Sequence, residues 1–265
     1  MLFTHQLAAL ALSTLALAGC GGDDAADPST QQLSPAPGLA AAPPSVGDDP
    51  DAVAQAGTAA PAKGVKGTVK DVDGKPLTGI TVSVVSDGGK REVTTGADGK
   101  YNFRKLPAGD AVLRFSKDGW IPQLVSYYIW TDEDLTIDAE MYEEASEVAE
   151  FKDTHGKDWD RSKGVVFVQF ESREDAKNVL YGGGATLDAR GAVGKVVTSD
   201  DKVVPGTIVP DKSASPSVEF IDVPAGQWPV TVTPPPGLDC FVPAQVSVAA
   251  GGYSTLFASC EPPTP

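Results

Sequence analysis

The sequence predicts an all-β protein, with two β-sandwiches in tandem behind an exported leader and a tether. Three observations predict this. Glycine and proline are plentiful, 28 and 22 residues in a chain of 265, while methionine contributes 2; that balance favours short strands and turns over long helices. Apolar residues alternate at period two through one short segment after another. Finally, Phe103-Arg104-Lys105-Leu106-Pro107-Ala108-Gly109 returns in reduced form as Phe220-Ile221-Asp222-Val223-Pro224-Ala225-Gly226, and Leu113 and Phe115 after the first copy match Val230 and Val232 after the second. The repeat predicts two sandwiches built on one plan.

Residues 1–19 read as a signal segment and drop out of the fold. The apolar run over residues 7–17 is too short to span a bilayer in comfort. It ends in Leu17-Ala18-Gly19-Cys20, which resembles the lipobox of bacterial lipoproteins. The resemblance implies cleavage before Cys20 and a lipid on Cys20, hence a membrane partner and a place in the cell envelope. Gly21 rather than Asp follows, so retention at the inner membrane is not implied. The expectation is the outer membrane, on its periplasmic face or at the cell surface. The alternative is an ordinary signal peptide with an incidental cysteine, since only His5 and no Lys or Arg precedes the run.

Residues 20–63 hold Ala, Pro, Gly, Ser and Asp with almost no large apolar side chain. Such a segment cannot offset its ordering entropy by burial and is expected to be a disordered tether. With Cys20 acylated, Cys240 and Cys260 remain as a pair in an oxidising compartment, where a disulfide is expected. The alternative is two buried free thiols. The bridge is expected to stabilise the second sandwich alone, by about 3 kcal/mol on the chain-entropy model.

The first sandwich is expected over residues 64–142. Val65 to Asp71 alternate as a strand, Asp73-Gly74 is a turn signal, and Ile80, Val82 and Val84 give an apolar face. Arg91 to Thr95 read as an edge strand. Asp98-Gly99 turns into Tyr101 and Phe103, Leu113 and Phe115 follow, Gly119-Trp120 closes that strand, and Leu135, Ile137, Ala139 and Met141 form the last. About seven short strands between Gly, Pro and Asp turns is an immunoglobulin-like pattern. Gly67-x-Val69 with Asp71, Gly74-x-Pro76-Leu77-x-Gly79-Ile80-x-Val82 and Asp98-Gly99-x-Tyr101-x-Phe103-x-x-Leu106-Pro107-x-Gly109 resemble the carboxypeptidase regulatory-like domain. That resemblance implies a prealbumin-like sandwich and no catalysis.

Residues 143–163 are an acidic connector, helical over residues 144–152 with Phe151 as its anchor. The second immunoglobulin-like sandwich is expected over residues 164–262. It opens on Val165-Val166-Phe167-Val168-Gln169-Phe170, apolar on both faces and so buried, and ends in a hairpin of Val246 and Val248 against Leu256 to Cys260 about Gly251-Gly252.

Chemistry is sparse. The net charge of −15 argues against a nucleic-acid partner, whose phosphates call for a cationic surface, and none is expected. Downstream of the leader only His155 is available to a triad, and no Gly-x-Ser-x-Gly elbow is present. His155, Asp158 and Asp160 match no standard metal spacing and read as a solvated loop. Asp71-Val72-Asp73-Gly74 lacks the later glutamate of a calcium loop and reads as a strand-end turn. Gly182-Gly183-Gly184 lacks a following Gly-Lys-Ser/Thr and reads as a flexible turn. Tyr128 and Trp130 share a strand face and form the candidate platform for a sugar, set against burial in the core. No catalytic residue, metal or cofactor is assigned. The expectation is a non-enzymatic envelope lipoprotein, a structural or protein-interaction module with a protein or glycan partner. The alternatives are a carbohydrate-binding surface lipoprotein and an accessory subunit docking an exported enzyme.

Overall fold

The computed structural model describes residues 63–88, 91–129, 134–173, 180–200, 202–211, 213 and 215–263. In the first sandwich these form β1 (Lys63–Asp71), β2 (Thr81–Val84), β3 (Glu92–Thr94), β4 (Lys100–Leu106), β5 (Gly109–Ser116), β6 (Gln123–Ile129), β7 (Leu135–Thr136) and β8 (Ala139–Met141). Helix α1 (Glu144–His155) connects to β9 (Lys163–Ser172), β10 (Gly184–Leu187), β11 (Val193–Val197) and β12 (Val203–Pro205). The chain ends in β13 (Ser217–Pro224), β14 (Gly226–Thr233), β15 (Asp239–Phe241), β16 (Gln245–Val248) and β17 (Tyr253–Glu261). Among the described residues the fold is all-β apart from α1 and one 3-10 turn. Cys20 and Trp130 lie outside the described residues.

In the first sandwich β1 pairs antiparallel with β4 and parallel with β7 and β8, facing a sheet ordered β3-β2-β5-β6. Val65, Val69, Tyr101 and Phe103 meet Val82, Leu113, Phe115 and Val125 between the sheets, all buried. Each such side chain contributes about 1.5–3 kcal/mol. A Cβ on Gly67 would lie 1.8 Å from the Ile137 carbonyl oxygen, which also accepts the Tyr101 hydroxyl at 2.6 Å. Glycine is therefore required where β1 runs past the break between β7 and β8. The sequence predicts one strand from Leu135 to Met141; it is two, because the Asp138 carboxylate accepts the Thr68 amide at 2.8 Å where a continuous ladder would run, while the Asp134 carboxylate accepts the Gly64 amide at 2.8 Å just ahead of β7.

The second sandwich repeats the central pairings of the first, although β11 and β12 extend from β13 where nothing extends from β4, and β10 lacks a neighbour equivalent to β3 among the described residues. β9 pairs antiparallel with β13 and parallel with β17, as β1 does with β4 and β8. β10, β14 and β16 pair as β2, β5 and β6 do. Each Pro-Ala-Gly turn carries the chain from one sheet to the other, between β4 and β5 and between β13 and β14.

The sandwiches are not separate beads. β17 lies between β9 and β6, parallel to both: Tyr253 pairs with Val165 on one side and Gln123 on the other. One sheet thus runs β12-β11-β13-β9-β17-β6-β5-β2-β3 through both. Register shows which way each faces. Thr255 sits beside Val125, whose side chain is in the first core; Leu256 sits beside Ser126, and Leu256 is in the second core. Neighbouring residues along a strand point to opposite faces. The two smaller sheets therefore cover opposite faces of the shared one.

This corrects the expected closing hairpin. β16 pairs with β14 and β17 with β9, so the two strands face each other across the core instead of lying side by side. The Gly251 amide donates to the Lys163 carbonyl at 2.8 Å and Tyr253 to the Pro122 carbonyl at 2.9 Å, which carries the chain across to the shared sheet. Cys240 and Cys260 are disulfide-bonded, on directly paired residues of β15 and β17. The triple glycine is also less free than predicted: a Cβ on Gly183 would lie 2.8 Å from the Phe170 ring.

Candidate functional site

The densest polar and aromatic chemistry lies along the seam where β17 joins the sandwiches. Tyr127 of β6 packs on Phe257 of β17, ring centroids 5.2 Å apart. Its hydroxyl donates to the Glu171 carboxylate of β9, and the same oxygen accepts Ser259 Oγ at 2.8 Å. Three strands from both sandwiches are thus tied at one carboxylate. Burial pushes the Glu171 carboxyl above its usual range, and the two hydroxyl donors pull it partly back. On the opposite face of the sheet Ser126 Oγ and Ser254 Oγ are buried without a hydrogen-bond partner.

Helix α1 covers the other part of the seam. Residues 144–155 contain no Gly or Pro, carry Glu144 and Glu147 in the first turn and Lys152 and His155 in the last, and stop at Gly156 with φ 69°. Charge and cap both suit a helix there. Phe151 and Trp159 are buried with Ile121, Val165, Ile221 and Tyr253. The Trp159 ring stacks between Phe151 at 5.1 Å and Tyr253 at 5.2 Å. The Tyr253 hydroxyl donates to Glu147. Burial pushes the Glu147 carboxyl up, against that hydrogen bond. Burial first, then the neighbouring carboxylates, hold the Tyr142 and Tyr253 phenols far above their ordinary range.

His155 is a correction. It ends α1 instead of lying in a solvated loop, with its side chain 5% exposed. Its ring sits 4.3 Å from Phe151, one helical turn back on the same face, which turns both toward the sheet. Nε2 lies 3.1 Å from Glu219 Oε1 and Nδ1 lies 2.9 Å from Lys195 Nζ. An ammonium only donates, so Nδ1 accepts and the Nε2 proton goes to Glu219. Asp158 and Asp160 point elsewhere: Asp158 pairs with Lys152 at 2.9 Å and Asp160 accepts Ser162.

Of the proposed sugar platform, Tyr128 lies half-buried on β6. Asp71 spends its carboxylate on the amides of Asp73 and Lys75, at 3.0 and 2.8 Å, as a strand-end turn does. The residues that sequence reasoning passed over are Tyr127, Glu147, Trp159, Glu171 and Tyr253. One signal was available: β17 alternates Tyr253 and Phe257 with Leu256 and Ala258, apolar on both faces, which marks a central strand.

The architecture is that of an all-β chain of two sandwiches sharing a sheet. Within it, residues 64–142 match the family model of the carboxypeptidase regulatory-like domain, so the first sandwich is a domain of that kind. Comparison with curated proteins finds no match. Among solved structures, the TIE protein of Bacillus anthracis is similar at 14% identity over 76% of this chain and 34% of that one, TM-score 0.29. The chain thus spans about a third of that protein's length. The minor pilin of Streptococcus agalactiae is similar at 14% identity over 77% of this chain and 98% of that one, TM-score 0.29. A variant of the major pilin subunit of Bacillus cereus is similar at 11% identity over 74% and 99%, TM-score 0.29.

Proposed function

We propose that this protein is a non-enzymatic structural or protein-interaction module of the bacterial cell envelope, anchored through lipid on Cys20 and displayed on the tether of residues 20–63. The observation that carries this reading is the two-sided pairing of β17, which makes one rigid body of the two sandwiches. A rigid body on a tether suits presentation of surface to an envelope partner at a distance from the membrane. The buried groups along the seam are committed to holding strands together. The lipobox over residues 17–20 supports the anchor. We read the second sandwich as a divergent copy of the first, supported by the shared central pairings and the repeated Pro-Ala-Gly turn.

Membrane fractionation tests the anchor. Wild type is expected to label with palmitate and sediment with membranes, while Cys20→Ala is expected in the soluble fraction. Retention of Cys20→Ala in the pellet, with no label on wild type, would refute the anchor. Protease shaving of intact cells then separates surface display from the periplasmic face, and cross-linking in situ captures the partner.

A further inference from the structure

Away from the seam, a cleft of about 730 Å³ opens at the end of β2 and β5, lined among others by Thr81, Arg114, Ser116, Trp120 and Glu144. The cleft is broad and open to solvent. Strand alternation builds its floor. Leu113 and Phe115 point into the first core, so Arg114 and Ser116 point out of it, and Thr81 on β2 sits directly opposite Ser116.

The wall is held in place from several directions. Gly119 adopts φ 80°, and the Trp120 amide donates to the Lys117 carbonyl at 3.2 Å, closing a tight turn. The first amide of α1, on Glu144, donates to the Gly119 carbonyl at 3.0 Å. Lys117 Nζ donates to the Thr78 carbonyl at 2.8 Å and stands 6.0 Å from the Trp120 ring centroid. Glu144 is ion-paired with Arg161 at 2.5 Å. Trp120 itself is half-buried, its inner side against the first core. Such a turn presents an indole without first having to order it.

The lining selects a chemistry. Arg114 is exposed, with no carboxylate bridged to it among the described residues, in a chain of net charge −15. A guanidinium offers a planar, bidentate seat for a carboxylate. The indole, half-exposed with Lys117 Nζ 6.0 Å above its ring, offers its remaining surface to the C–H face of a pyranose, and Lys117 adds a second cation at the cleft for the carboxylate. Thr81, Ser116, Asp118 and Glu144 supply hydroxyl and carboxylate partners for sugar hydroxyls. Asp118 and Glu144 repel a dianionic phosphate more strongly than a singly charged carboxylate, while their oxygens remain acceptors for sugar hydroxyls. We propose that this cleft binds an acidic saccharide, a pyranose carrying a carboxylate, with Arg114 seating the carboxylate and Trp120 the ring.

Calorimetric titration of the full chain in detergent tests this with three probes: a galacturonate tetramer, a glucuronate-containing tetrasaccharide and a neutral galactose tetramer. At least one acidic probe is expected to bind saturably and to weaken as salt rises, and the neutral one not to bind. Arg114→Gln, at an exposed position, is expected to keep the fold and weaken binding about tenfold or more. Trp120→Ala is expected to abolish binding; should it fail to fold, Arg114→Gln decides alone. Undiminished binding by Arg114→Gln, equal binding of the neutral probe, or no saturable heat from either acidic probe would overturn the proposal.

Discussion

Lys105 and Asp222 are the two described non-glycine residues with positive φ, 60° and 61°, and they occupy the same place in two copies of one bulge. Each lies two residues before the proline of a Pro-Ala-Gly turn. Phe103 pairs with Val65 and Leu106 with Lys63; Phe220 pairs with Val166 and Val223 with Gly164. In both sandwiches, then, two residues of the long strand oppose one of its partner. The bulge twists the strand out of one sheet so that the turn can deliver it to the other.

Left-handed backbone costs a residue with a Cβ about 1–2 kcal/mol. Lys105→Gly should therefore stabilise the protein by about 1 kcal/mol, and Lys105→Val should destabilise it. Asp222→Gly should gain less, because it also loses the Lys157 ion pair. Urea denaturation midpoints check all three; a loss of stability in Lys105→Gly would argue against the strained bulge.

Gly67→Ala is expected to be among the most damaging single changes. The new methyl would sit 1.8 Å from the Ile137 carbonyl oxygen, a backbone atom that cannot step aside as a side chain would. A cost of about 3 kcal/mol, at the top of the overpacking range, should appear as a lower denaturation midpoint.

The seam carboxylates set a pH dependence. The folded-state pKa values of Glu147 and Glu171 lie above their unfolded values, so the folded state holds those protons more tightly. Their contribution to stability is greatest below the unfolded carboxylate pKa, about 4.3, and falls as pH rises through the folded pKa. Glu147→Gln and Glu171→Gln keep an acceptor for Tyr253 and Tyr127 while removing the titration. Each should flatten the decline in urea midpoint between about pH 4.3 and neutrality; an unchanged slope would remove these groups from the account.

Ser126→Ala and Ser254→Ala should be neutral or stabilising by up to about 1 kcal/mol. Each removes a buried hydroxyl that forms no hydrogen bond. Thermal midpoints several degrees below wild type would show that a bound water or an unseen partner satisfies these groups.

Much of the fold was legible because local chemistry specifies it. Alternation at Leu113 and Phe115 marks β5, glycines mark the turns, and Pro-Ala-Gly marks both sheet crossings. The destination of β17 was not legible. A pattern of Tyr253, Phe257, Leu256 and Ala258 says that both faces are buried but does not name the neighbours, and a glycine pair before it imitates a hairpin turn. His155 was misread for a related reason. An acidic, mixed-charge segment has weak helical periodicity, and only the sheet beneath Phe151 and His155 reveals which face is inside.

The central claim is that β17 makes one cooperative unit of the two sandwiches, and scanning calorimetry of wild type and Cys240→Ser tests it most directly. From its sequence separation of 20 residues, the bridge should contribute about 3 kcal/mol. Because that bridge secures β17, and β17 pairs with both β6 and β9, the effect should reach both sandwiches. The account predicts a single transition, with calorimetric and van't Hoff enthalpies equal, that moves as a whole to lower temperature in Cys240→Ser. Two resolved transitions, of which Cys240→Ser lowers one and leaves the other in place, would contradict it.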